Sequence, residues 1–167
     1  MLDHVLVPLD GSELAQSALD HALKLLSPKG QITLVTVLES QEIALSDFYP
    51  STIIPRTNAD EKRTHAAIAR SQSYLKQLAF SIEEEYGFQV NTRSEIGDAA
   101  TVITDIAESL NLDAIVMSTH GRSGISRWLF GSVTQKVLSA APCPVFVIPA
   151  KTHEETKSRE LADNRSS

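Results

Sequence analysis

The chain has 167 residues, of which 42% are hydrophobic and 22% are charged, as is typical of one globular domain. Its 21 acidic and 15 basic residues give a formal net charge of −6, and no Lys/Arg block is present, so a nucleic-acid-binding surface is not expected. The short apolar runs, the acidic start and the single cysteine argue against a membrane span, a signal peptide and an intrachain disulfide, and we expect a cytoplasmic protein.

The first elements in chain order are a strand and a helix. A short apolar run rich in β-branched residues predicts that His4–Leu9 is a buried strand. From Ser12 onward, apolar residues recur at the spacing of one helix face, and Pro28 and Gly30 are expected to end this helix. The apolar positions of this face are Leu14, Ala15, Ala18, Leu19, Ala22 and Leu23.

A second strand, a long loop and a long helix follow. Gln31–Leu38 has the pattern of a strand, whereas Glu39–Asn58 has no clear periodicity. Loops of that length are uncommon in compact domains and are often functional. Asn58 and Glu61 match a capping box, and Gly87 is expected to close the helix that begins there.

The third strand is predicted at Phe88–Ile96, and its alternating pattern favours a sheet edge. Asp98 is expected to cap a helix whose apolar face continues to Leu110. Asp113–Thr119 is predicted as the fourth strand. A glycine-rich loop follows that strand.

The last predicted elements are a helix at Ser132–Ala140 and a strand at Cys143–Pro149. Ser132 with Gln135 matches a capping box at the start of that helix. The remaining residues, from Lys151 onward, contain little aliphatic surface and are expected to form a flexible tail.

Alternating strands and helices predict a parallel sheet with helices on both faces. In such sheets, ligands bind beyond the carboxyl ends of the strands, where the strand order reverses. Two loops leave such ends: "PLDGS" (Pro8–Ser12) after the first strand, and the segment Ser118–Ser132 after the fourth. If the order reverses between these two strands, both loops face one crevice.

Gly131 and Ser132, at the start of a helix, could bind an anion. Glycine has no side chain to keep a ligand away from the backbone, and the amides at a helix start attract phosphate. A simple turn and cap is the alternative explanation for this pair. Asp10 can accept from a ribose hydroxyl or an adenine amine, or it can cap the first helix. Neither a P-loop motif nor a Gly-x-Gly-x-x-Gly motif after the first strand is present.

These loops resemble those of the universal stress protein family. The matching segments are "PLDGS", "STHG" and "GSVTQKVLSAAPCPVFVIP", and the likeness covers residues 1–149. The family signature is glycine, two residues, glycine, nine residues, glycine, then serine or threonine. Gly121, Gly131 and Ser132 occupy three of its places, and Ser118 stands where the family has glycine.

The resemblance implies one α/β domain (1–149) with a Rossmann-like five-stranded parallel sheet in the order 3-2-1-4-5, followed by a tail (150–167). It also implies binding of ATP or a related adenine nucleotide, with or without Mg²⁺, and a homodimer formed through Val145–Ile148. Asp10 would contact the adenosine end and Val37 the adenine. The implied ligand-binding residues are Pro8, Leu9, Asp10, Val37, Met117, Ser118, His120, Gly121, Arg122, Gly131, Ser132, Val133 and Thr134.

Two other functions stay open at this point. One is a nucleotide-free interaction protein of the same fold, in which Ser118 marks the loss of the pocket. The other is a slow nucleotide hydrolase, although no catalytic residue and no metal-ligand spacing is evident. Ser118 itself has two interpretations: a strained residue, if its backbone needs a positive φ, or a hydroxyl that bonds the ligand.

Overall fold

The computed structural model describes residues 1–39, 58–119 and 130–149. In these segments five strands alternate with four helices. The strands are β1 (Leu2–Pro8), β2 (Leu26–Leu38), β3 (Gln89–Ile96), β4 (Ala114–Ser118) and β5 (Val145–Ile148). The helices are α1 (Glu13–Leu25), α2 (Asn58–Tyr86), α3 (Ala99–Ser109) and α4 (Ser132–Ala140). None of these helices combines the length and apolar character that crossing a bilayer requires.

The five strands form one sheet in the order β3-β2-β1-β4-β5, and every neighbouring pair is parallel. The order expected from the family resemblance is therefore confirmed, as is the place of β3 at an edge. The chain moves outward from β1 through β2 to β3 and then returns to the other side of β1. The strand order consequently reverses between β1 and β4, where Val5 pairs with Ala114 and Leu6 with Ile115.

Both faces of the central strands are buried, as is usual for parallel sheets with helices on each side. On one face Val5 and Val7 belong to the core formed with α1 and α2, which includes Leu75. On the other face Leu6 packs in a core with α3 and α4, which includes Val137. Because both faces are covered, the strand sequences are continuous apolar runs rather than alternating ones.

The helix ends confirm some of the predicted caps and correct others. Asp98 caps α3 by accepting the N–H of Thr101 at 3.0 Å, as expected. Gly87 follows α2 with a φ of +71°, also as expected. Of the two alternatives for Asp10, the one in which it caps α1 is wrong, because the N-cap is Ser12.

The capping box predicted from Ser132 and Gln135 is also wrong, because the N-cap of α4 is Gly131 and Ser132 is already helical. The helix that Asn58 was expected to cap starts at Asn58 itself.

The start of β2 differs from its prediction. Leu2 pairs with Leu26 and His4 with Gln31, so the strands advance by two residues in β1 and by five in β2 between these pairs. Pro28 and Gly30 lie in this irregular stretch, where a missing ladder hydrogen bond is tolerated. The helix α1 has already ended at Leu25.

Candidate functional site

A cavity of about 320 Å³ lies at the carboxyl ends of the strands, at the reversal of strand order. This volume is within the range of small-molecule sites. Ten of the sequence-predicted ligand-binding residues line it: Pro8, Leu9, Asp10, Val37, Met117, Ser118, Gly131, Ser132, Val133 and Thr134. The other three, His120, Gly121 and Arg122, lie outside the described residues.

Sequence reasoning missed six residues of the cavity wall: Ala15, Val35, Thr36, Glu39, Ala99 and Ile103. Two patterns in the sequence could have identified some of these residues. Val35 precedes Val37 by two positions, so the pleat places both on one face of β2. Ala99 and Ile103 are four residues apart, so they share one face of α3.

The turn after β1 fixes Asp10 at the cavity. The N–H of Leu9 donates to the Val35 carbonyl at 2.8 Å, which extends the β1–β2 pairing beyond the last residue of β1. Gly11 has a φ of +81°, a conformation that favours glycine. The N–H of Ser12 donates to Oδ1 of Asp10 at 3.0 Å, so the carboxylate is held by the turn that starts α1.

The start of α4 presents backbone donors to the cavity. Its first helical hydrogen bond runs from the N–H of Gln135 to the carbonyl of Gly131 at 3.0 Å. The amides of residues 132–134 precede that bond and have no acceptor within the helix. Gly131 carries no side chain that could cap them, and the positive end of the helix dipole points the same way. This end of the cavity therefore favours an anion.

Thr134 joins α4 to the end of β4. Its side chain is buried, and Oγ1 donates to the carbonyls of Ser118 and Thr119 at 3.2 and 3.3 Å. The hydroxyl therefore fixes the helix against the strand. A backbone hydrogen bond also connects the start of α4 to the end of β4: the N–H of Gly131 donates to the Thr119 carbonyl at 2.8 Å.

The interpretation of Ser118 as a strained residue is wrong. Ser118 is the last residue of β4 and pairs with Ile148 of β5. Among the described residues, the only non-glycine residue with a positive φ is Asn111. Serine therefore fits this strand end without backbone strain, and its hydroxyl is the feature that distinguishes it from glycine.

Part of the cavity wall is apolar. Val37 of β2 and the almost fully buried Met117 of β4 line the sheet side, and Ile103 of α3, 2% exposed, lines the helix side. A planar, weakly polar ring fits such a wall, because burying it removes apolar surface from water and leaves no charge buried without a partner. The cavity thus combines an apolar wall with backbone donors at the start of α4.

An ion pair connects the two helices that flank the cavity. Nζ of Lys136 in α4 lies 3.0 Å from Oδ2 of Asp98, the cap of α3. Hydrogen bonds lower the pKa of Asp98 to about 2. The largest contribution comes from the N–H of Thr101, followed by Lys136 and the Thr101 hydroxyl. Both charged side chains are well exposed, so the pair is screened by solvent.

Within the described segments, no three side chains of histidine, cysteine, aspartate or glutamate come together as a metal site would require.

The sheet order and the crevice at its reversal define a Rossmann-like α/β protein. The sequence profile of the universal stress protein family matches residues 1–149. The chain belongs to the universal stress protein family.

Individual relatives agree with this assignment. Universal stress protein MJ0531 of Methanocaldococcus jannaschii is 30% identical over 144 residues, which are 86% of this chain and 80% of the relative. The solved structure of MJ0577 from the same organism superposes with a TM-score of 0.76 at 25% identity, covering 90% of this chain and 97% of that one. A universal stress protein family protein from Arabidopsis thaliana with AMP bound has a TM-score of 0.61 at 18% identity, covering 90% and 94%, and shares the fold.

Proposed function

We propose that this protein binds ATP, or a related adenine nucleotide, as a regulatory module of the stress response in the cytoplasm. The observation that carries the proposal is the cavity at the strand-order reversal, which combines an apolar wall with helix-start amides. A nucleotide combines a planar base, which suits the apolar wall, with an anionic phosphate chain, which suits the amides. A protein of the same fold has AMP bound.

In this proposal the adenine lies against Val37, and the carboxylate of Asp10 accepts a hydrogen bond from the adenosine part. The phosphates lie at the start of α4, where the amides of residues 132–134 have no acceptor in the helix. Met117 and the backbone after Ser118 border the ribose. We assign no catalytic residue, so any hydrolysis is slow.

The first experiment identifies the ligand. Freshly purified protein is denatured, and the released small molecules are analysed by mass spectrometry. The proposal expects an adenine nucleotide in the released fraction or, if none is retained, saturable binding of ATP by calorimetry. Failure to bind ATP, ADP, AMP or cyclic AMP at millimolar concentration would leave the nucleotide-free interaction protein as the better hypothesis.

Gly131→Val tests the phosphate end. The φ of −59° and ψ of 157° at Gly131 are allowed for any residue, so the variant should fold. Its branched side chain would stand where phosphate must approach the amides, and we expect ATP binding to fall below detection. Ala140→Val, at the exposed far end of the same helix, is the matched control and should bind like the wild type. Equal affinity of Gly131→Val and wild type would exclude the phosphate role.

A further inference from the structure

The strand β3 forms one edge of the sheet and, within the described residues, pairs with β2 alone. None of its residues is buried, whereas most of β4 is. Val90 packs against the core formed with α1 and α2, and Oγ of Ser94 lies 2.8 Å from Oγ of Ser71 in α2. Because side chains alternate along a strand, the even-numbered residues of β3 face α2 and the odd-numbered residues face the other side.

Two hydrogen bonds show which way the backbone amides of β3 point. The N–H of Gly97, the residue after the strand, donates to the Leu38 carbonyl of β2 at 3.1 Å, so it points into the sheet. The N–H of Val90 donates to Oε1 of Glu83 in α2 at 3.3 Å, so it points away from β2. Successive amides of a strand point to opposite sides. The other outward amides of β3 are therefore those of Thr92, Ser94 and Ile96.

Glu83 covers only the first of these outward amides. In the described part of the chain, no strand pairs with the outer edge of residues 92–96. An open row of N–H and C=O groups at a sheet edge is a template for another strand. A polypeptide backbone repeats its donors and acceptors at the matching spacing, so the edge suits an extended peptide. The row is too short for a stable subunit interface, which involves roughly 20–30 residues on each side.

The side of α2 that lies along this edge adds side-chain contacts. Because Glu83 reaches the outward amide of Val90, its side of the helix borders the open edge. Phe80 and Lys76 precede Glu83 by three and seven residues, so they share that side of the helix. Phe80 is 66% exposed, and Lys76 is also exposed. An apolar side chain of an added strand can therefore cover the Phe80 ring.

The charges along this side of α2 have a fixed order. The helix runs antiparallel to β3, since Glu83 lies at Val90 and Ser71 lies at Ser94. From the amino end of β3 to its carboxyl end, an added strand meets first a carboxylate, then the Phe80 ring and then an ammonium group. Helix residues three or four apart are separated by about 4.5–6 Å along the axis, and alternate strand residues by about 6.6 Å. Every second residue of the added strand can thus face one of the three groups.

We propose that the open edge of β3 binds an extended peptide segment of a partner protein as an added strand. Toward α2 this segment presents a basic, an apolar and an acidic side chain, in the order from the amino end of β3 to its carboxyl end. No residue of β3 lines the cavity at the strand-order reversal, so the proposal is independent of nucleotide binding.

The probes are two capped peptides, Thr-Lys-Thr-Leu-Thr-Glu-Thr and its reverse, which present the charges in the required order as a parallel and as an antiparallel strand. Amide hydrogen exchange of the full-length protein is followed by NMR. In the free protein, the outward amides of Thr92, Ser94 and Ile96 should exchange faster than the inward amides of Arg93 and Glu95. We expect one peptide, at saturation, to slow the three outward amides at least about tenfold and to leave the amides of β5 unchanged.

The backbone contacts are tested from both partners. Thr92→Pro removes an outward amide and leaves the pairing with β2 intact, and an edge strand tolerates proline at such a position. It should weaken peptide binding about tenfold, whereas the matched control Thr92→Val keeps the amide and should bind like the wild type. A peptide methylated at its three central backbone nitrogens should not bind. This second measurement decides the matter even if Thr92→Pro does not fold.

The side-chain contacts are tested on α2. Phe80→Ala should weaken binding about tenfold, because the apolar contact is lost. Lys76→Glu should weaken binding about fivefold, and a peptide with lysine in place of its glutamate should recover the loss. Lys24→Glu, at an exposed position of α1, makes the same charge change away from the edge and should bind like the wild type.

Three results would overturn the proposal. One is that neither peptide slows the exchange of the outward amides. Another is equal binding of the methylated and unmethylated peptides, since the backbone of β3 would then not hold the ligand. The third is slow exchange of the outward amides in the free protein that becomes fast on dilution, which would assign this edge to a second copy of the chain.

Discussion

At the scale of single residues, Asp10 has a structural role and, in the proposed function, a ligand-binding role, and substitutions can separate the two. Its Oδ1 accepts the N–H of Ser12, which is a structural bond. Asp10→Asn keeps an oxygen for that bond but loses the charge. We therefore expect Asp10→Asn to retain thermal stability and to weaken ATP, ADP and AMP alike. The hypothesised charged hydrogen bond is worth about 1.5–3 kcal/mol.

Asp10→Ala should weaken the same nucleotides and also lower stability by about 1 kcal/mol, since the turn loses its acceptor. Calorimetry and urea unfolding of both variants measure the two effects. An affinity loss confined to ATP would place Asp10 at the phosphates instead of the adenosine.

The backbone conformation of Ser118 determines whether Ser118→Gly should strengthen ATP binding. Because Ser118 does not have a positive φ, glycine relieves no strain and adds conformational freedom to the unfolded chain. We expect Ser118→Gly to bind ATP no more tightly than wild type and to lose about 0.5–1 kcal/mol of stability. Tighter binding in a direct titration would show that the hydroxyl obstructs the nucleotide.

At the scale of elements, the link between α3 and α4 predicts a pH dependence. The pKa of Asp98 is lowered from 3.8 to about 2, so its folded state favours the charged carboxylate. A lowered pKa contributes stability above the ordinary value, and this contribution is lost as the pH falls from about 4 toward 2. Asp98→Ala should remove that part of the acid dependence and, with the cap gone, destabilise α3.

The causes of this pKa can be separated by Lys136→Met. The N–H of Thr101 is the largest cause, and it remains in the variant. The pKa of Asp98 should therefore rise only part of the way to its ordinary value, as measured by carboxyl NMR titration. Thr104→Val in α3, whose hydroxyl donates to the carbonyls of Ala100 and Thr101 and not to Asp98, serves as a control that leaves the pKa of Asp98 unchanged. A full return to the ordinary value would mean that the exposed lysine dominates.

The elements themselves were predictable where one local pattern decides the structure. The continuous apolar runs of β1 and β4 indicate strands because both faces of a parallel sheet are buried. The first residues of β2 were missed because Pro28 and Gly30 usually end an element, and only pairing with β1 shows that they lie in an irregular strand. The cap of α4 was misplaced by one residue because Ser132 fits the local motif equally well.

At the scale of the whole molecule, β5 is an edge strand with one open side in the described structure. It pairs with β4 alone, and Phe146 is 39% exposed. Unpaired edges invite pairing with another chain, so we propose that Val145–Ile148 forms the homodimer contact. Phe146→Lys should convert the dimer to a monomer, as measured by light scattering.

Phe80→Lys is the matched control for this substitution. Phe80 is 66% exposed on α2 and should be replaced without changing the oligomeric state. A wild-type monomer, or a dimer that persists in Phe146→Lys and dissociates in Phe80→Lys, would contradict the edge-strand contact.

The sheet order at this scale came from the family resemblance, because strand and helix patterns alone fix only the alternation of elements. Ten residues of the cavity at the strand-order reversal were likewise predictable from the family resemblance. The cavity of about 540 Å³ between β2 and α2 was not predictable, because it depends on how α2 packs across β2. Thr36 and Tyr74 lie far apart in the chain, and neither forms a motif with its neighbours.

The alternation of side chains in β2 makes this strand the wall between that cavity and the one at the carboxyl ends of the strands. Thr36 borders both, and Val37 and Leu38 face opposite sides. A strand that shifts to accommodate an occupant on one side also changes the shape of the other side. Binding on one side can therefore alter the affinity on the other, and such coupling is reciprocal: each occupant changes the affinity for the other by the same factor.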